Sequence, residues 1–242
     1  ITFFRFFQHL GPALFAASER FWPKGELHQK IVSYISILFH LIPVEYRYES
    51  AIFIELIYFV VTLFYFILVL SSAYIYKTTS KLPKFVVILI SILNGSVMYL
   101  IHPIALQMAS QEVSRLIMGM DTYAPQILSI IGAALTYICT ILFGYTFAKI
   151  MSITLLFRPT SMLTTSHIPE LFFLFSTFIV TTLSGLSTYL PKIPYVILTL
   201  LTGIVMISTS LTVFLPASYV ESRDMKLVFC SSITGGIFSL II

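Results

Sequence analysis

Apolar positions in this chain gather into six long, unbroken runs: Ile52–Tyr76, Phe85–Leu106, Ile127–Phe157, Leu171–Leu190, Tyr195–Leu215 and Leu227–Ile242. None shows the alternation of apolar and polar residues that marks a membrane strand. A hydrocarbon core about 30 Å thick needs about 20 helical residues to cross, and most of the runs meet that length. The pattern predicts an all-α, polytopic transmembrane helix bundle. Ahead of the runs, Leu27–Ile42 has a different rhythm. Leu27, Ile31, Tyr34, Ile35, Leu38, Phe39 and Ile42 fall on one helical face, and His28, Gln29, Lys30, Ser33, Ser36 and His40 lean to the other. That predicts an amphipathic helix lying in the membrane interface, with a short true span as the alternative. Ile1–Ser18 reads as a partial span bent at Gly11–Pro12, because proline cannot donate the helix hydrogen bond. Trp22 and Pro23 then mark a boundary where an indole is half buried and half wet. The expected division is 1–50, partial span plus interfacial helix, and 51–242, the transmembrane bundle. A start at Ile1 and an end inside an apolar run at Ile242 read as a membrane portion of a longer protein.

Composition sharpens this. The chain is 10% charged and 58% apolar, against about 25% and 45–50% for an ordinary soluble domain. Water would not solvate such a surface, whereas lipid does, so the expected partner is the bilayer. The net charge of +4 comes from scattered residues, without the dense basic patch that nucleic acid requires. Lys77, Lys81, Lys84, Lys149, Arg158, Arg223 and Lys226 fall at alternate connections; only Arg115 and Lys192 fall at the others. The positive-inside rule puts the larger group in the cytoplasm. The segment before Ala51 then lies outside, which sits awkwardly with Arg20, Lys24, Lys30 and Arg47. Cys139 and Cys230 each fall within an apolar run and read as packing thiols rather than a disulfide. Neither has the Cys/His spacing of a metal site, and no cofactor is expected in this chain.

Charge within a span is costly and is the first place to look for chemistry. Glu55 is the one acid inside a clear run, about one turn in. It reads either as an ion or proton ligand, or as a carboxylate reaching back to headgroups or to a neighbouring helix; the second is favoured, since charges near helix ends snorkel. Asn94, with Gly95 and Ser96, lies at the centre of the second run, and His102–Pro103 near its end. A broken transporter helix would look like this, but close packing and a proline kink account for it as well and are preferred. Thr177, Thr181, Ser184 and Thr188 form a helical stripe flanked by Gly185, and Thr199, Gly203 and Ser210 a sparser one. Small and hydroxyl residues let membrane helices approach closely, so both stripes read as packing surfaces ahead of a pore lining. Catalysis has no candidate residue: the histidines are scattered, no glycine loop suits a phosphate, and Asp121 and Asp224 lie on opposite sides of the expected topology.

One segment carries a resemblance. Phe3-Phe-Arg-Phe-Phe-Gln-His-Leu-Gly-Pro-Ala-Leu-Phe-Ala-Ala-Ser18, then Phe21-Trp-Pro23 and Phe39-His-Leu-Ile-Pro43, resembles the N-terminal multi-spanning membrane region of large protist proteins with PAS and class III adenylate/guanylate cyclase domains. Membrane proteins of the tiny macrocysts type share that layout. The resemblance covers about the first fifty residues; the rest agrees in being a helix array with short loops. It implies a membrane anchor and sensor domain in the plasma membrane, with homodimerisation through the parent protein and cyclic nucleotide synthesis by a cytoplasmic domain outside this chain. No catalytic residue carries over. A secondary transporter or channel is the alternative; it predicts ionisable residues paired across the bundle or helices broken at midplane.

Overall fold

The computed structural model describes residues 46–93, 97–120, 123–153, 168–214 and 222–241, with isolated positions at 11, 27, 30 and 42. The expected partial span at Ile1–Ser18, the interfacial helix at Leu27–Ile42 and Asn94–Gly95–Ser96 therefore lie outside the described residues, those isolated positions apart. Among the described residues every regular element is an α-helix. They are α1 (Arg47–Thr79), α2 (Lys84–Ile92), α3 (Met98–Ile117), α4 (Tyr123–Ile153), α5 (Ile168–Ser187), α6 (Lys192–Phe214) and α7 (Ser222–Ile241). The all-α expectation holds.

Among the described residues, three helices contain stretches long and apolar enough to cross a membrane: Glu49–Thr79 in α1, Ile127–Phe147 in α4 and Lys192–Leu211 in α6. Leu174–Ser187 in α5 and Phe229–Ile241 in α7 are apolar but shorter. Helix is the expected state for such stretches, because each backbone group then finds its partner within the segment and lipid supplies none. Side chains do the same. Ser72 donates to the Leu68 carbonyl at 2.6 Å, Thr199 to Tyr195 at 2.8 Å and Thr202 to Leu198 at 2.9 Å, so these hydroxyls are satisfied within their own helices. At 33 residues, α1 is roughly 50 Å long, more than the hydrocarbon core needs. Its last turn holds Lys77, and Ser80 closes it in the left-handed conformation (φ 52°) with its N–H on the Tyr76 carbonyl at 2.8 Å.

The second expected span differs most from its reading. Within Phe85–Leu106, α2 is described to Ile92 and α3 from Met98, with Leu93 and Val97 wound as π-helix beside the undescribed residues 94–96. The stretch Gln107–Gln126, expected as a loop, remains helical to Ile117. It ends in a Schellman turn: Gly119 adopts φ 62°, its N–H meets the Leu116 carbonyl at 3.0 Å, and the Met120 N–H meets Arg115 at 3.1 Å. Glycine suits that position because its positive φ carries no Cβ penalty.

Helix α3 is the hub. It packs against α1, α4 and α5; α1 also packs on α4, α5 on α6, and α6 on α7. All residues from His102 to Ser110 are buried. The buried positions of α1 (Ala51, Glu55, Tyr58, Thr62, Tyr65) and of α4 (Ser129, Ala133, Thr136, Thr140, Phe143, Phe147) recur at alternating steps of four and three, the spacing of a coiled-coil seam. Outward positions such as Phe53, Phe64, Ile141 and Phe175 are large, apolar and exposed. The molecule is therefore apolar outside, and much of its interior is hydroxyl, amide and carboxyl.

Candidate functional site: a polar cluster around α3

The polar interior is densest where α1, α3 and α4 meet. Glu55 is 3% exposed. Its carboxylate lies against Gly132 of α4, in the space that a Cβ there would fill. Neither carboxylate oxygen has a hydrogen-bond partner among the described residues. A single turn along the same face of α1, the Tyr58 hydroxyl lies 2.9 Å from His102 Nδ1 and 3.4 Å from Thr140 Oγ1. Thr140 already donates to the Thr136 carbonyl at 2.8 Å. Tyr58 therefore bridges His102 and Thr140, and which ring nitrogen of His102 carries the proton follows from which way that bridge is donated. His102 Nε2 is buried with no partner among the described residues. His102 also stands 5.5 Å, ring to ring, from Phe143.

Farther along α3, Tyr137 of α4 and Ser110 are joined at 2.8 Å, and Ser110 donates onward to the Leu106 carbonyl at 2.7 Å. Gln107 Nε2 donates to Ser184 of α5 at 3.5 Å. Glu112 is buried, and its charge acts on Glu55. The end of α3 is tied to the α5–α6 turn, where the Tyr189 N–H donates to Ser114 at 3.3 Å and Arg115 lies 5.5 Å above the Tyr189 ring. The two connections with fewest positive residues, those of Arg115 and Lys192, are thus neighbours at one end of the bundle.

The residues singled out in the sequence divide as follows. Glu55 turns into the bundle rather than back toward headgroups, because α4 offers a glycine opposite it. His102 joins the same cluster. Asn94 lies outside the described residues. Thr177, Thr181, Ser184 and Gly185 are buried on α5 and Thr188 is half-buried. Thr181 donates to the Thr177 carbonyl and Thr188 to Ser184 at 3.2 Å, while Ser184 reaches across to Gln107 of α3. Gly185 faces the α3 backbone: a Cβ there would stand 2.7 Å from the Gln107 carbonyl oxygen. Gly203 of α6 meets Gly236 of α7, and a Cβ on Gly203 would lie 3.1 Å from the Gly236 carbonyl. Between α5 and α6, Thr209 Oγ1 is 2.6 Å from Ser176 Oγ.

Sequence reasoning missed Gln107, Ser110, Glu112, Ser114 and Tyr137. Four of these fell in the stretch read as a loop. The available signal was the helical spacing of Gln107, Ser110, Gln111 and Ser114 with no glycine or proline before Gly119, a pattern equally compatible with a polar helix shielded by apolar ones. No protein-family model, curated protein or solved structure matches this chain.

Proposed function

We propose that this chain is the multi-pass membrane domain of a larger signalling protein, an anchor and sensor whose responsive element is the Glu55–Tyr58–His102 cluster. One observation carries the sensing role: Glu55 is buried between helices with neither oxygen hydrogen-bonded among the described residues. A lone carboxylate in such surroundings costs several kcal/mol. It needs a proton or a cation to complete it, and gaining or losing that partner changes how α1 sits on α4. The output rests on the resemblance of residues 3–43 to protist receptor-like nucleotide cyclases, with six spans in the plasma membrane and cyclic nucleotide synthesis beyond this chain. In membranes holding the parent protein, Glu55→Gln then abolishes the response of cyclic nucleotide production to an imposed pH or sodium step. A response unchanged by Glu55→Gln refutes the sensor role.

The transporter reading is favoured by a second observation. Glu112 of α3 lies within electrostatic reach of Glu55, so two acids from different helices, with His102, converge inside the bundle as ion-coupled transport requires. Purified protein in vesicles loaded with a pH-sensitive dye separates the two. Proton or sodium flux that disappears in Glu55→Gln assigns transport; a Glu55-dependent cyclase response without flux assigns sensing.

A further inference from the structure

Beside the polar cluster lies a cavity of about 470 Å³ formed between α3, α4 and α5. Its walls include His102, Thr140, Phe143, Gly144, Leu174 and Phe178. Among the described residues, no acid, lysine or arginine lines it. Ile141, Tyr145 and Phe175, which also border it, are mostly exposed on the apolar outer surface, so the cavity communicates sideways with the bilayer. Its size falls within the range of roughly 300–1,000 Å³ typical of small-molecule sites. Among its walls, the polar atom left without a partner is His102 Nε2.

We propose that this cavity binds a neutral, single-headed amphiphile whose hydroxyl hydrogen-bonds to His102 Nε2 while its hydrocarbon lies between α4 and α5. The chemistry of the walls selects this occupant. An apolar chain suits Phe143, Leu174 and Phe178; a single buried imidazole nitrogen suits one uncharged hydroxyl, which can either donate or accept. A phosphate head would enter without a cation to neutralise it, and two acyl chains would exceed the space. The inference is independent of the sensor and transport readings, since it requires neither a signal output nor ion movement. It also links the cavity to the cluster. A hydroxyl on Nε2 and the Tyr58 hydroxyl on Nδ1 would together fix which ring nitrogen of His102 carries the proton.

Gly144 provides the test, because a Cβ at that position meets nothing within 4 Å and a larger side chain grows into the cavity instead of into a neighbouring helix. The full chain in vesicles is irradiated with a diazirine-bearing hexadecanol, and in a parallel arm with a diazirine-bearing phosphatidylcholine. Labelled positions are read by mass spectrometry. The expected result is hexadecanol label concentrated on 141–145 and 174–178, competed by unlabelled hexadecanol. Gly144→Phe should cut it about tenfold or more. His102→Leu should weaken it about two- to tenfold through loss of the hydrogen bond. Ile67→Phe, on the outer face of α1, should leave it unchanged. Gly144→Leu repeats the test with a smaller group should the phenylalanine variant fail to fold. Labelling that survives both Gly144 substitutions, or that His102→Leu leaves intact, overturns the proposal. So does phosphatidylcholine label matching hexadecanol label in place and amount, which would make the cavity an ordinary lipid contact.

Discussion

Two glycine-to-alanine substitutions, Gly185→Ala and Gly144→Ala, isolate the cost of holding α3 against α5. Both replace a helical glycine, so both gain the same helix propensity, about 0.8–1 kcal/mol in a water-exposed helix. That gain cancels in the comparison. The surroundings differ. A Cβ on Gly144 meets nothing within 4 Å, whereas one on Gly185 would stand 2.5 Å from Ser110 Cβ and 2.7 Å from the Gln107 carbonyl oxygen. Ordinary contact begins near 3.4 Å, so the helices must part by roughly 0.7–0.9 Å to clear the carbonyl and Ser110 Cβ. A gap of that order forfeits roughly a quarter to a half of the dispersion attraction across it. The Gln107–Ser184 hydrogen bond, already 3.5 Å long, has no reserve to stretch. Overpacking of this kind costs about 1–3 kcal/mol. Gly185→Ala is therefore expected to be less stable than Gly144→Ala by about 1–3 kcal/mol, or roughly 5- to 150-fold in the unfolding equilibrium. Titration with SDS in mixed micelles, followed by circular dichroism, reads that difference directly. Equal midpoints for the two variants would refute the claim that α3 and α5 touch through Gly185.

Other outcomes follow from the same geometry. Gly132→Ala pushes into the Glu55 carboxylate and should destabilise the bundle; in Glu55→Ala the same change should be nearly silent, a coupling of about 0.5–3 kcal/mol in a double-mutant cycle. Tyr58→Phe removes the 2.9 Å contact with His102 and should cost about 0.6 kcal/mol, the average for hydrogen bonds between membrane helices, measured by the same SDS titration. In a Cys230→Ser background, Met120→Cys should react with an impermeant maleimide on intact cells, and Ser80→Cys only after permeabilisation. The reverse pattern would invert the proposed orientation.

Much of the helical architecture was legible in the chain because lipid imposes a one-dimensional rule. A stretch with little charge that is long enough to cross must satisfy its own backbone, so Glu49–Thr79, Ile127–Phe147 and Lys192–Leu211 announce themselves by composition alone. The rule fails for α3. Its His102, Gln107, Ser110, Glu112 and Ser114 lower its hydropathy to that of a connection, and the property that rescues it, burial by α1, α4 and α5, belongs to other segments. Glu55 was visible as an intramembrane acid, but its direction was not. Its position near the start of α1 allows it to reach outward, and the glycine that draws it inward is 77 residues away, at Gly132.

The sequence by itself determined that this is an all-α chain with helices apolar enough for a membrane, that its lysines and arginines cluster at alternate connections, and that glycines, serines and threonines would face neighbouring helices. These are local properties, set by composition over one or two helical turns. Only the tertiary structure decided which polar residues meet. Glu55 lies against Gly132, Tyr58 reaches His102, Ser110 joins Tyr137, and Gln107 joins Ser184. Each pairing depends on the rotation and depth of one helix against another. In a bilayer, packing and hydrogen bonds between helices set those, because lipid is as apolar as the side chains it replaces and leaves no hydrophobic drive to do so.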